Sequence, residues 1–275
     1  MDIHQGKYRP IELFRYAGMF LWFCAGIPLL LIQEILPQPL SLELYIAWVV
    51  LHGLFGLLYW NLTRYLPAQL APRLAQGGLE ELRRGKRQQM GVLFIDMRGF
   101  TSWSQHRSPQ AISEFMTEFR RRILGVANST GGVIDKFIGD AAMIVFESEA
   151  DSQAAARSCV TCAEQLDSEM AGWSHERVAA GEPEVRVGVG LHWGEVFSGV
   201  VGDQDRLEYS VFGDTVNTAA RLEEMTKTLG VDIVASRDIL EQAGFGPEPS
   251  GWTTLAGASV RGRTGTVEIL GRTVV

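Results

Sequence analysis

The sequence predicts an α+β domain with a βαββαβ core, preceded by a pair of membrane helices. Three observations carry this reading. Val92, Leu93, Phe94 and Ile95 form an apolar run too short for a helix, and it ends in Asp96. Residues 132–138, a Gly139-Asp140 turn and residues 141–146 read as a β-hairpin. Ahead of both lie two stretches of 17 residues without a charge, 16–32 and 44–60. That length is the lower end of what spans a bilayer.

The apolar stretches extend to helices at about 13–33 and 44–62. Pro28 would kink the first, which membrane helices tolerate. Trp22, Tyr45, Trp48, Tyr59 and Trp60 supply interfacial aromatics. The connection holds Glu34 and Glu43 but no Lys or Arg. Lys7, Arg9 and Arg15 precede the pair, and Arg64, Arg73, Arg83, Arg84, Lys86 and Arg87 follow it. The positive-inside rule places both ends in the cytoplasm and makes 1–65 a hairpin in the plasma or inner membrane. A signal peptide fits less well, because no small-residue cleavage site follows the first run and a second run does. The competing reading is a soluble helical hairpin buried against the domain. Residues 66–88 read as a juxtamembrane linker broken by Pro67, Pro72 and Gly77-Gly78, with 79–90 a short basic helix.

From residue 89 to 275 strands alternate with helices. Ser108-Pro109 has the form of an N-cap and first helical position, and Phe115, Phe119, Ile123 and Val126 recur at helical spacing. Residues 154–170 read as a helix, 185–191 as a strand, 214–225 as a helix and 231–235 as a strand. Residues 253–275 read as β-structure with a turn around Gly262 and Gly265. A right-handed crossover through the first helix makes the strand before Asp96 parallel to the first hairpin strand. The second hairpin strand then lies between them, and Asp96 meets Asp140 at one edge. Two carboxylates held side by side repel unless cations neutralise them. A pair of divalent ions about 3.5–4 Å apart is a usual answer.

Charge is unevenly distributed within a net of −7. Residues 1–90 carry nine Lys/Arg against six Asp/Glu, a net of +3, and 91–275 carry 16 against 26, a net of −10. A basic appendage on an acidic domain points to a membrane surface and away from nucleic acid. Three cysteines give no disulfide framework. Cys159 and Cys162 are spaced CxxC, but inside a helical segment with no second ligand pair, so helix packing is the better reading.

Four motifs occur in order: Phe94-Ile-Asp-Met-Arg-Gly-Phe-Thr101; Asp135-Lys-Phe-Ile-Gly-Asp140 running into Phe146; Gly190-Leu-His-Trp-Gly-Glu-Val-Phe-Ser-Gly199; and Gly213-Asp-Thr-Val-Asn-Thr-Ala-Ala-Arg-Leu222. Together they resemble the class III nucleotidyl cyclase catalytic domain, over about residues 88 to 272. The resemblance implies a ferredoxin-like core and ring closure of a nucleoside triphosphate to a 3′,5′-cyclic nucleotide and pyrophosphate. It assigns Asp96 and Asp140, with Ile95 beside them, to two Mg2+ or Mn2+ ions. Oxygen-rich sites suit those ions. Asn217 and Arg221, four apart and so on one helix face, match the ribose-orienting and transition-state residues. Arg261 falls where the family has a lysine for the terminal phosphates, and Arg263 competes for that role.

Base selection follows from the same resemblance. Lys136 matches the purine-reading lysine of adenylyl cyclases, where guanylyl cyclases have glutamate. Ser210 stands at the second purine contact, commonly aspartate, as in a bacterial-type subgroup of adenylyl cyclases. Its hydroxyl can accept from the adenine amino group and can also donate. Against these roles stand plainer ones: a capping carboxylate for Asp96, a salt bridge to Glu223 or Glu224 for Arg221, and a strand-edge pair with Asp135 for Lys136. His192 reads as packing. His52, within the second apolar run, reads as an interhelical hydrogen bond. The resemblance places the aspartates of one chain against the base and transition-state residues of another, so a homodimer would hold two composite sites. The expectation is a membrane-bound adenylyl cyclase acting on ATP. The alternatives are a guanylyl cyclase, and a silent cyclase-like dimerisation or regulatory module.

Overall fold

The computed structural model describes residues 84–147, 151–202, 207–258 and 267–273, and eight helical residues between 46 and 57. It divides into two compact units, 1–83 and 84–275. The helix expected at 13–33, most of that at 44–62, His52, most of the 66–88 linker, and Arg261 and Arg263 lie outside the described residues. Among the described residues no helix is long and apolar enough to cross a membrane. In the first unit, Ile46, Val50, Leu51, Leu54 and Leu57 are helical and each at least half exposed.

The second unit is one mixed sheet. β1 (Lys86–Met97) leads through α1 (Phe100–Ser104) and α2 (Pro109–Ser129) to the hairpin β2 (Val133–Ile138) and β3 (Ala141–Glu147). Then follow α3 (Ser152–Ala179), β4 (Val187–Gly202), β5 (Leu207–Phe212), α4 (Asp214–Leu229), β6 (Ile233–Ser236), α5 (Arg237–Gln242), β7 (Thr253–Ala258) and β8 (Val267–Arg272). Strand order is β2-β3-β1-β4-β6-β8-β7, with β5 paired to β4. β3 runs antiparallel to both β1 and β2, and β4 antiparallel to β1, which is the expected ferredoxin-like core.

Alternation along β1 separates two faces. Leu93, Ile95 and Met97 enter the main core with Phe115, Phe119 and Ile123 of α2 and Leu166, Met170 and Trp173 of α3. Met90 and Val92 face the other way, into a smaller cluster with Met143, Val145, Val196, Val211 and Ala219. The period of two therefore sends Asp96 to this second face, the one covered by α4 and β5. α4 lies directly on β4 because Gly190 has no side chain: a Cβ there would collide with backbone atoms of Ala219 and Glu223.

α2 begins as expected, with the Ser108 hydroxyl accepting from the Ala111 N–H at 3.2 Å. α3 runs nine residues beyond the expected end at 170, because Trp173 in that extension packs against Phe115 and Phe119. The short basic helix expected over 79–90 is corrected at its C-terminal part: Lys86 to Met90 open β1. The long arm of β4 supplies a pairing partner from Ser198 to Gly194, and Met90 is fully buried, so tertiary pairing overrides local preference. Cys159 and Cys162 are buried on α3, and burial raises both thiols, Cys162 to about 11, so they pack as expected.

Candidate active site

β1 and β3 set the first half of the site. Asp96 is the cross-strand partner of Ala141, so Asp140, one residue earlier in the hairpin turn, is brought beside it. Gly139 makes the turn with φ +61°, a left-handed conformation that glycine adopts without strain. Burial raises the Asp140 carboxyl, and the Asp96 charge raises it further, while its own backbone hydrogen bond and Lys227 act in the opposite sense. Ile95 is fully buried with a hydrocarbon side chain, so only its backbone carbonyl could serve an ion.

α4 brings a cation that sequence reasoning did not single out. Lys227 Nζ donates to Asp96 Oδ2 at 3.1 Å, and Lys227 is raised by that bond. The carboxylate pair thus attracts positive charge from within the chain, which fits the divalent ions the resemblance implies. Among the described residues no three His, Cys, Asp or Glu side chains converge as a metal site. Two carboxylates suit Mg2+ bound together with substrate phosphates. Arg98, just past Asp96, donates to the Val231 carbonyl and pairs with Asp232 at 3.6 Å, tying the end of β1 to the segment after α4.

Asn217 and Arg221 share one face of α4, the first exposed and the second half-buried. The salt bridge from Arg221 to Glu223 or Glu224 is not formed, and among the described residues its guanidinium has no ion pair or hydrogen-bond partner. Lys227 follows Arg221 by six residues, which puts Arg221 about 9 Å farther along the axis and about 120° around it. When Lys227 meets Asp96, Arg221 of the same chain therefore points elsewhere.

Lys136 and Ser210, the pair that the resemblance assigns to the purine, do converge. Lys136 Nζ donates to Ser210 Oγ at 2.7 Å, and Ser210 is 1% exposed. The plainer pairing also exists, Lys136 to Asp135 at 3.6 Å, so the lysine serves both. The Phe212 ring lies 6.0 Å from the same ammonium. His192 is buried with Nδ1 2.7 Å from Ser236 Oγ, the packing role expected.

Glu223 entered the sequence reading only as a salt-bridge partner for Arg221. It is 6% exposed beneath β4, and its Oε1 has no hydrogen-bond partner among the described residues. Burial first, and then the Asp96 charge, raise it to about 7 from an ordinary 4.5. A folded value above the unfolded one means that ionisation opposes folding. Stability should therefore fall as pH rises from about 4.5 through about 7. Glu223→Gln should remove that slope and raise stability at pH 8 by roughly 1–3 kcal/mol, with little change at pH 4. Thermal unfolding across that range checks it, and parallel wild-type and variant curves would contradict it.

Comparison with known proteins now places the chain. Residues 82–270 match the model of the adenylate and guanylate cyclase catalytic domain, and the chain belongs to that family. It is 32% identical over 182 residues, 66% of its length, to the protein named adenylate cyclase of Anabaena cylindrica. It is also 32% identical over 179 residues, 65% of its length, to adenylate cyclase 1 of Rhizobium meliloti. The chain spans 36% and 27% of the lengths of these curated relatives. Among solved structures, the guanylyl cyclase Cya2 is 27% identical with a TM-score of 0.59, covering 68% of this chain and 93% of that one.

Proposed function

We propose that this chain is a membrane-anchored adenylyl cyclase that converts ATP to 3′,5′-cyclic AMP and pyrophosphate in sites shared by two copies. In this reaction the ribose 3′-oxygen loses its proton and bonds to the α-phosphorus, and the bond to the β-phosphate oxygen breaks. Asp96 and Asp140 would hold two divalent ions, Mg2+ or Mn2+. When bound, those ions activate the 3′-oxygen and hold the polyphosphate. Arg221 presents a planar cation to the charge that develops on the α-phosphate, and Asn217 orients the ribose.

The observation that carries the choice of base is the Lys136–Ser210 contact at 2.7 Å. An ammonium can donate to adenine N1, and a hydroxyl oxygen can accept from the adenine 6-amino group. Guanine offers an N1–H donor opposite the ammonium, a mismatch at Lys136, while its O6 is an acceptor to which a free hydroxyl could donate. The names of the two curated relatives favour the same reading. The Cya2 structure belongs to a guanylyl cyclase, so the base has to be argued from the residues.

Two features support the shared site. Arg221 forms no ion pair with Asp96 of its own chain, whose partner is Lys227. Phe197 and Phe212, cross-strand partners on β4 and β5, leave 39% and 41% of their surface exposed beside the purine pair, an apolar patch that a second copy would cover. The membrane reading rests on the two uncharged stretches, their basic flanks and the exposed leucines of 46–57. Reporter fusions at residues 1 and 90 should both read cytoplasmic, and opposite signals would remove it.

A product assay with ATP and GTP in parallel, each with Mg2+ and Mn2+, tests the activity. Higher kcat/KM for ATP is expected. Preference for GTP would overturn the base assignment, and no cyclic product from either would favour the silent module.

A further inference from the structure

We propose that Asp135 sets base selectivity by holding the Ser210 hydroxyl hydrogen, so that only a lone pair of that oxygen faces the purine. This rests on the adenine reading of the Lys136–Ser210 subsite. It goes beyond that reading in naming a residue that makes an ambiguous hydroxyl directional.

The backbone supplies the first evidence. Pairing of β2 with β3 slips between Ile134 and Lys136: Ile134 opposes Ile144, and Lys136 already opposes Met143. Asp135 is thus the extra residue of a β-bulge. In a regular strand neighbouring side chains point to opposite faces. Here Ile134 and Phe137 both pack on the main core, while Asp135 and Lys136 between them both reach Ser210 on the other face. Bulges re-aim side chains in this way next to functional sites.

The hydrogen bonds supply the second. A serine hydroxyl has one hydrogen and two acceptor lone pairs. Ser210 Oγ donates its hydrogen to Asp135 Oδ2 at 3.2 Å and accepts from Lys136 Nζ at 2.7 Å. One lone pair remains. It can accept from the amino group of adenine, and no hydrogen is left to offer to O6 of guanine. The Asp135 side chain has no exposed surface, so its carboxylate stands behind the serine and not against solvent. Asp135 is therefore a positioning residue that acts through Ser210.

An Asp135 acting only as counter-ion for Lys136, itself a base contact, would change the ratio between bases whether or not Ser210 kept its hydroxyl. The ratio, read with and without that hydroxyl, is the readout. In the full chain, Asp135→Ala frees the Ser210 hydrogen, and the ATP-to-GTP ratio of kcat/KM should fall by about tenfold or more, the worth of one discriminating hydrogen bond. Ser210→Ala should lower the ratio similarly, and adding Asp135→Ala to it should change the ratio no further. Ser210→Asp placed in the Asp135→Ala background returns an obligate acceptor beside Lys136 and should restore ATP preference. An unchanged ratio in Asp135→Ala overturns the proposal, as does a further fall in the Asp135→Ala/Ser210→Ala pair. Should Asp135→Ala not fold, the Ser210→Ala ratio decides, and full selectivity there overturns it. Failure of the underlying reading shows separately, as a wild type that prefers GTP.

Discussion

Asp96→Ala and Asp140→Ala are each expected to lower cyclase turnover by at least about 100-fold, the scale of removing a charge partner from the transition state. The register that pairs Asp96 with Ala141 leaves Asp140 no other neighbourhood, and the two charges act on each other. Either one alone offers a divalent ion too few oxygens. Loss of fold is not the expected cause. Removing one of two repelling carboxylates relieves a cost, so thermal stability of Asp140→Ala should stay close to wild type or rise. Asp96→Ala also strips Lys227 of its 3.1 Å partner, but that pair is partly exposed and worth about 0–1 kcal/mol. Turnover is measured at limiting Mg2+ or Mn2+ with unfolding followed in parallel. Near-normal activity in either variant would remove both aspartates from the metal role.

The parts of this site that were legible in the sequence are those fixed by local patterns. An apolar run ending in Asp96, a Gly139-Asp140 turn and a helix spacing of four for Asn217 and Arg221 need no knowledge of the rest of the chain. What was not legible depends on long-range pairing. Lys227 lay beyond the helix expected at 214–225; α4 runs on to Leu229 and, laid on Gly190 and Gly194 of β4, puts that ammonium at Asp96. The first five residues of β1 look basic and helical, and become strand only because β4 continues to Ser198 beside them. Asp135 looked like a partner for Lys136 and is one, but its bond to Ser210 needs a bulge that no residue type in β2 announces. Glu223 sits in a helix pattern whose buried face is apolar or small at most other positions, so nothing local marks it as a buried charge.

Mixing two inactive homodimers tests the shared site most directly. Asp96→Ala and Arg221→Ala should each be nearly inactive alone. Each chain nevertheless keeps the half that the other lacks. In a mixed dimer one site joins an intact aspartate pair to an intact arginine, and the other site carries both lesions. With free exchange and a symmetric interface, about half the dimers are mixed and each has one working site of two, so activity should recover to about a quarter of wild type. The geometry of α4 makes this a sharp test. If Lys227 meets Asp96 within a chain, then Arg221, about 9 Å back and about 120° around the helix, cannot reach that same carboxylate pair without moving the helix. A site complete within one chain would leave the mixture as inactive as its components. Absence of recovery, with subunit exchange shown independently by differently tagged chains, would therefore place the arginine and the aspartates in one protomer and require α4 to reposition on nucleotide binding.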